Sequence, residues 1–194
     1  MKLGNNRRHS FWRGFTLVEL LVVITIIALL AGLLLPAVLN AIKKAEMTKA
    51  KGEVSALANA VDAYYHEYSK YPGQTAATAD YLYNSTPQDY IFLVATLRGT
   101  NITTWSTSGN QAGLSNPKQI AFLSVDERSI ATNGTYQYQF VDPWGVPYNV
   151  IADWNFDNKI DNPAKQADGM NVYNKGVAVW SAGPSTNNSL RSWK

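Results

Sequence analysis

Between Phe15 and Ile42 the sequence carries one ionisable side chain, Glu19. A carboxylate at the centre of a membrane-buried helix costs about 2.5–3.5 kcal/mol on insertion scales, so it needs a partner or a use. Cleavage after Gly14 would create an α-ammonium on Phe15, four positions before Glu19. Residues four apart share a helix face, so amine and carboxylate can pair within one chain or between neighbours. Pairing between neighbours would set the axial register of an assembly.

A second candidate for chemistry is Asp153-Trp154-Asn155-Phe156-Asp157-Asn158-Lys159-Ile160-Asp161. Asp153, Asn155, Asp157, the Lys159 carbonyl and Asp161 imitate the ligand spacing at the start of an EF-hand calcium loop, with an aliphatic residue at Ile160. Asn158 stands where that loop needs a left-handed residue, a conformation Asn tolerates. Ala164 stands where the bidentate Glu belongs, and Asp168 is the nearest replacement. Two readings stay open, a polar hairpin loop stabilised by Asn and Asp side chains or a calcium site.

Other chemistries are largely excluded. The 194 residues include no Cys and two His, of which only His66 lies outside the first 14. Disulfides, thiolate catalysis and cysteine-type zinc sites are therefore ruled out, and sites needing several imidazoles nearly so. His66 reads as a solvated helix residue. No nucleophile–His–acid set or phosphate-cradling glycine loop follows residue 14, so the chain is not expected to be an enzyme. Asn84, Asn101, Asn133 and Asn187 each begin a glycosylation acceptor pattern, as chance alone produces in so Asn- and Thr-rich a chain.

The elements that position these groups follow from charge and periodicity. Lys2, Arg7, Arg8 and Arg13 carry four of the positive charges with no acid beside them, so the net charge of +3 becomes −1 for residues 15–194. A basic tail directly before an apolar run is a targeting pattern, and no nucleic-acid partner is expected. Leu20–Leu39 is 20 residues long, and at 1.5 Å per residue such a helix reaches about 30 Å, the thickness of bilayer hydrocarbon. The run is too long for a cleaved secretory signal. Pro36 removes the N–H that would bond to Gly32, which predicts a kink or local melting there.

Beyond Ile42 the pattern stays helical but becomes amphipathic. Val54, Leu57, Ala58, Val61, Tyr65 and Tyr68 form one stripe, and Tyr71-Pro72-Gly73 ends it. One helix is predicted from Phe15 to about Ser69. Its lysines 43, 44, 49 and 51 lie just past the apolar run. The apolar island Tyr90–Leu97 fits a short helix. Three strands are predicted at Tyr136–Phe140, Tyr148–Ala152 and Gly176–Ser181, the first two joined by an Asp142-Pro143-Trp144-Gly145 type I turn. The fold class is α+β, a long helix laid across a small antiparallel sheet. The organisation expected is a leader over 1–14, a transmembrane or filament-core helix over 15–39, its amphipathic continuation over 40–72, a variable connection over 73–132 and a sheet over 133–194.

Gly14-Phe15-Thr16-Leu17-Val18-Glu19-Leu20-Leu21-Val22-Val23 resembles the prepilin cleavage and methylation motif of type IV pilins and type II secretion pseudopilins. Asp142-Pro143-Trp144-Gly145-Val146-Pro147-Tyr148 and Val179-Trp180-Ser181-Ala182-Gly183-Pro184 resemble the major pseudopilins in particular, leaving 73–132 unmatched. The resemblance implies a type IV pilin-like fold and cleavage by a prepilin peptidase between Gly14 and Phe15, with N-methylation of Phe15. It also implies a Glu19 that registers subunits and a helix-bending Pro36. The expected protein spans the bacterial cytoplasmic (inner) membrane once, with its C-terminal domain in the periplasm. It assembles there with copies of itself and other pseudopilins on an inner-membrane platform, into a pseudopilus driving type II secretion. A type IV pilus subunit for adhesion, motility or DNA uptake is the alternative, ahead of a membrane-tethered binding module or hydrolase. Major pseudopilins bind calcium largely through the loop after the Ser-x-Gly-Pro strand end. Here that loop is Ser185-Thr186-Asn187-Asn188-Ser189, without a carboxylate, so a calcium site would move to 153–161 or draw on both loops.

Overall fold

A computed structural model describes residues 14–74, 79–100, 115–160, 172–173, 175–184 and 190–192. The leader before Gly14, part of the 73–132 connection and the 185–189 loop fall outside them, as do Asp161, Ala164 and Asp168. The chain separates into two compact units, Met1–Lys44 and Ala45–Lys194. Helix α1 covers Leu17–Tyr68, 52 residues. It runs unbroken through Gly32 and Pro36, so the local melting expected there is not seen in the single chain. In the first unit every large apolar side chain from Phe15 to Ile42 is exposed. A helix closes all its backbone bonds within the segment, so such an apolar surface can face lipid without leaving polar backbone groups unpaired. Thr25 keeps its hydroxyl satisfied there by donating to the Leu21 carbonyl at 2.7 Å.

In the second unit α1 buries Ala50, Val54, Leu57, Ala58, Ala60, Val61 and Tyr64. The stripe is the expected one up to Val61. Beyond it Tyr64 takes the central place, and Tyr65 and Tyr68 are only half-buried. The sheet is antiparallel with strand order β1-β2-β5-β6, formed by Tyr81–Leu82, Asn149–Ala152, Val177–Ser181 and Leu190–Arg191. A separate hairpin pairs β3 (Lys159–Ile160) with β4 (Val172–Tyr173). Helix α2, Pro87–Arg98, begins with Thr86 accepting from the Asp89 N–H and Pro at its first position, and ends at Gly99 in the left-handed region. It contains the apolar island.

One predicted strand is overturned. Residues 135–138 form a turn in place of the strand Tyr136–Phe140. Tyr136 and Tyr138 are 40% and 42% exposed, and Tyr138 has φ +67°. Of the segment's aromatic residues only Phe140 enters the core, beside a buried Gln139 and with an isolated bridge to Ile130. The alternation of apolar and polar residues was genuine, but a tyrosine ring ends in a polar hydroxyl and can stand at the surface, where this turn leaves both.

The predicted Asp142–Gly145 turn is present, with the Gly145 N–H donating to the Asp142 carbonyl at 2.9 Å. The buried Asp142 carboxylate accepts from the N–H groups of Trp144 (3.0 Å) and Val146 (2.9 Å) and from the Ser181 hydroxyl (2.6 Å). Ser181 Oγ in turn accepts from the Gly183 N–H at 2.9 Å. The two separate motifs thus form one hydrogen-bonded unit linking the turn to the end of β5.

Buried tyrosines tie the helices to the segments around them. Tyr64 donates to the Ser115 carbonyl, Tyr83 to that of Pro72 and Tyr90 to that of Phe140. Tyr148 donates to Glu53 of α1, which also accepts from the Ser129 hydroxyl. Burial is the main cause that pushes all four phenols up, Tyr64 to about 12, aided by Tyr68. Unfolding returns Tyr64 to the usual 10.0, so its contribution is complete below pH 10.0 and is lost as pH rises through about 12. For Tyr64 alone this amounts to about 2–3 kcal/mol. Denaturant titrations across this range should show stability falling steeply above pH 10.0, and less steeply in Tyr64→Phe.

Candidate functional site: the helix start and the acidic loop

Gly14 and Phe15 precede α1 and are exposed. Thr16 caps the helix: its hydroxyl accepts from the Glu19 N–H at 3.1 Å. The Glu19 carboxylate accepts from the Thr16 N–H at 2.9 Å and from the Thr16 hydroxyl at 2.8 Å. This reciprocal arrangement is a capping box, Thr-x-x-Glu, and it satisfies donors that the first turn of a helix otherwise leaves open. The negative side chain also sits at the positive end of the helix dipole. Glu19 therefore has a partner within its own chain, one that the charge argument alone did not reveal although the spacing Thr16-Leu17-Val18-Glu19 carried the signal. One Glu19 oxygen takes both Thr16 donors, which leaves acceptor capacity on the carboxylate for a further cation.

The acidic loop lies between β2 and β3. The Asp153 carboxylate accepts from the N–H groups of Asp157 (3.2 Å) and Asn158 (2.9 Å). Asn155 Oδ1 also accepts from the Asp157 N–H, and Asp157 Oδ1 from the Lys159 N–H at 2.8 Å. Phe156 and Asn158 adopt φ of +58° and +59°, so the side chains of Asp153, Asn155 and Asp157 close over a tight turn. Lys159 then enters β3.

A residue the sequence did not single out joins them. Tyr81 pairs with Ala152 across the β1–β2 ladder, so the residues next outward, Asp80 and Asp153, come together. Carboxylate oxygens of Asp80, Asp153 and Asp157 all lie within 4.8 Å of one another. Strand β1 is two residues long and lies in the unmatched connection, so no periodicity could announce it. The loop is anchored by Trp154, whose ring stacks on Tyr81 with centroids 4.1 Å apart. Its indole N–H donates to Tyr83, and its carbonyl accepts from Gln74. Tyr71 is pushed up by burial first and then by the charges of Asp153, Asp62 and Asp80. His66, by contrast, is exposed on α1, as expected.

An exposed apolar helix with a capped acid at its start, joined to an α+β domain, defines a type IV pilin-like protein. The family described as the prokaryotic N-terminal methylation motif matches residues 13–35. The chain is 28% identical over 174 residues to type II secretion system core protein G of Aeromonas hydrophila, covering 90% of this chain and 94% of that one. It is 30% identical over 139 residues to core protein G of Pseudomonas aeruginosa, 72% of each chain. A type IV major alpha-pilin of Moraxella bovis is 47% identical, but over 55 residues, 28% of this chain and 35% of the pilin. No solved structure gives a significant match. The chain belongs to the type II secretion core protein G family, the major pseudopilins, whose members are structural subunits rather than enzymes.

The capping box makes a specific prediction. Thr16→Val removes the hydroxyl that both accepts and donates, which should cost about 1 kcal/mol of local helix stability. Amide exchange at Leu17–Leu20 of the protein in micelles should accelerate about fivefold, on the basis that 1.4 kcal/mol is tenfold. Thr16→Ser should leave exchange near the wild-type rate.

Proposed function

We propose that this pseudopilin is held in the cytoplasmic membrane by its apolar helix, with residues beyond Lys44 on the periplasmic side. In this reading a prepilin peptidase cuts between Gly14 and Phe15 and methylates the new terminus. Processed subunits then join copies of themselves and other pseudopilins, on an inner-membrane platform, in a filament that pushes secreted proteins outward. The observation that carries the reading is Glu19. Its carboxylate is held at the first turn of a helix whose large apolar side chains up to Ile42 are all exposed. Such a surface needs lipid or other helices around it, and the acid needs a cation when water is removed. A freshly exposed α-ammonium on a neighbouring copy meets both conditions. The pilus alternative draws on the short Moraxella match, whereas the secretion relatives extend over most of the chain.

Glu19→Leu removes a charge whose insertion cost at the capped helix start is smaller than the roughly 2.5–3.5 kcal/mol of a helix centre, so the variant should enter the membrane at least as well as the wild type. Filament formation should be lost. Sheared-fibre yield and membrane fractionation measure the two, and wild-type fibre yield from Glu19→Leu would refute the registration role. Intact mass of the extracted wild-type protein checks the cleavage and the methyl group together.

We propose further that the loop of Asp153, Asn155 and Asp157 holds calcium, with Asp80 as an additional carboxylate. Three acids within 4.8 Å of one another repel unless a cation lies among them, and an all-oxygen donor set suits a hard cation. The acids of Asp153 and Asp157 are already oriented by backbone N–H groups, which leaves lone pairs for a metal. Bound calcium would neutralise the cluster and fix the loop between β2 and β3. Calcium at one hundred times its dissociation constant stabilises a folded protein by about 2.7 kcal/mol. The full chain in detergent should therefore melt several degrees higher with calcium, and Asp80→Asn should reduce the shift. An unchanged melting point at millimolar calcium would remove the proposal.

A further inference from the structure

Of the four glycosylation-type asparagines, the structure describes two, and they stand in opposite environments. Asn84 is tied down: its amide donates to the Asn149 side chain. Asn133 is exposed, and among the described residues its side chain has no hydrogen-bond partner. Asn133-Gly134 is also the chain's single Asn-Gly pair.

We propose that Asn133 is a site of spontaneous deamidation in the folded protein. The peptide nitrogen of Gly134 loses its proton and attacks the Asn133 Cγ. The new N–Cγ bond closes a five-membered imide as the C–NH2 bond breaks and ammonia leaves with the proton. Water then adds to either imide carbonyl and reopens the ring. The product is Asp or its isomer joined through the side-chain carboxyl, and the net change is one amide and one water converted to one carboxylic acid and ammonia. No other reagent is required.

Three features of the turn favour this. Gly134 has no Cβ to obstruct the attack, its surroundings hold nothing within 4 Å of where one would stand, and Asn133 is itself exposed to the water that reopens the ring. The Gly134 N–H donates to no partner among the described residues, whereas the carbonyls around it are engaged. Gln137 N–H donates to Gly134 O, Tyr138 N–H to Ala131 O, and the Gln137 side chain to Thr132 O. The turn is thus held by its oxygens and leaves the reacting nitrogen free. Each event places a new negative charge beside the exposed Tyr136 and Tyr138, so older subunits differ from new ones at this surface.

The test holds the full-length protein in detergent at neutral and mildly alkaline pH and samples it over time by tryptic mapping. Cleavage after Arg128 and Lys159 releases one peptide containing Asn133. Acid and isoaspartate should accumulate at Asn133, faster at higher pH, while Asn84 remains an amide. Gly134→Ala should slow conversion by an order of magnitude or more, and its φ of +81° strains an alanine without a clash. Asn133→Ser should abolish the signal and leave the fold intact. An Asn133 that stays an amide while a synthetic peptide of the same sequence converts would overturn the proposal. So would a Gly134→Ala rate equal to wild type, or Asn133 found carrying a sugar.

Discussion

An ionised carboxylate inside an apolar helix surface must have every acceptor lone pair it exposes answered by a donor. Glu19 meets part of this requirement with Thr16, at the one place on a helix where backbone donors are open and the dipole is positive. Had the acid stood two turns later, no backbone donor would have been available and the insertion cost would be unrelieved. Its position at the third helical residue is therefore as significant as its charge. The same position leaves the acid four residues from Phe15, the terminus that the proposed cleavage would create. The local cap and an incoming ammonium are compatible because the box uses one carboxylate oxygen for both threonine donors.

Away from the helix start, the second unit is organised by polar groups embedded in aromatic packing. Asp142 joins the turn before β2 to the end of β5, and Glu53 joins α1 to Tyr148 and Ser129. Asp142 is buried and Glu53 half-buried, and each has more than one donor, as removing charge from water demands. Buried tyrosines supply the remaining area, and their hydroxyls reach backbone carbonyls that have no sheet partner. A small four-stranded sheet with two-residue edges would have little to pack on without these contacts.

What the sequence disclosed follows element length. The 52-residue helix, strands β2 and β5 and the Asp-Pro-Trp-Gly turn all carry patterns repeated often enough to read. The two-residue strands β1 and β6 are too short for any period, and with β1 went the one acid, Asp80, that completes the cluster at Asp153. Tyr136–Phe140 erred the other way: alternation was present, but exposed tyrosines satisfied it without a ladder. The Thr16–Glu19 box was legible in the Thr-x-x-Glu spacing, but an acid at the edge of an apolar run points first to a cation and only second to a hydroxyl three residues before it.

The brevity of the sheet's margins has a bearing on how copies of this chain can meet. β1 and β6 each offer a partner two residues of unpaired backbone, too little to template an added strand. Among the described residues, edges this short give a neighbouring copy almost no ladder on which cross-β pairing could grow.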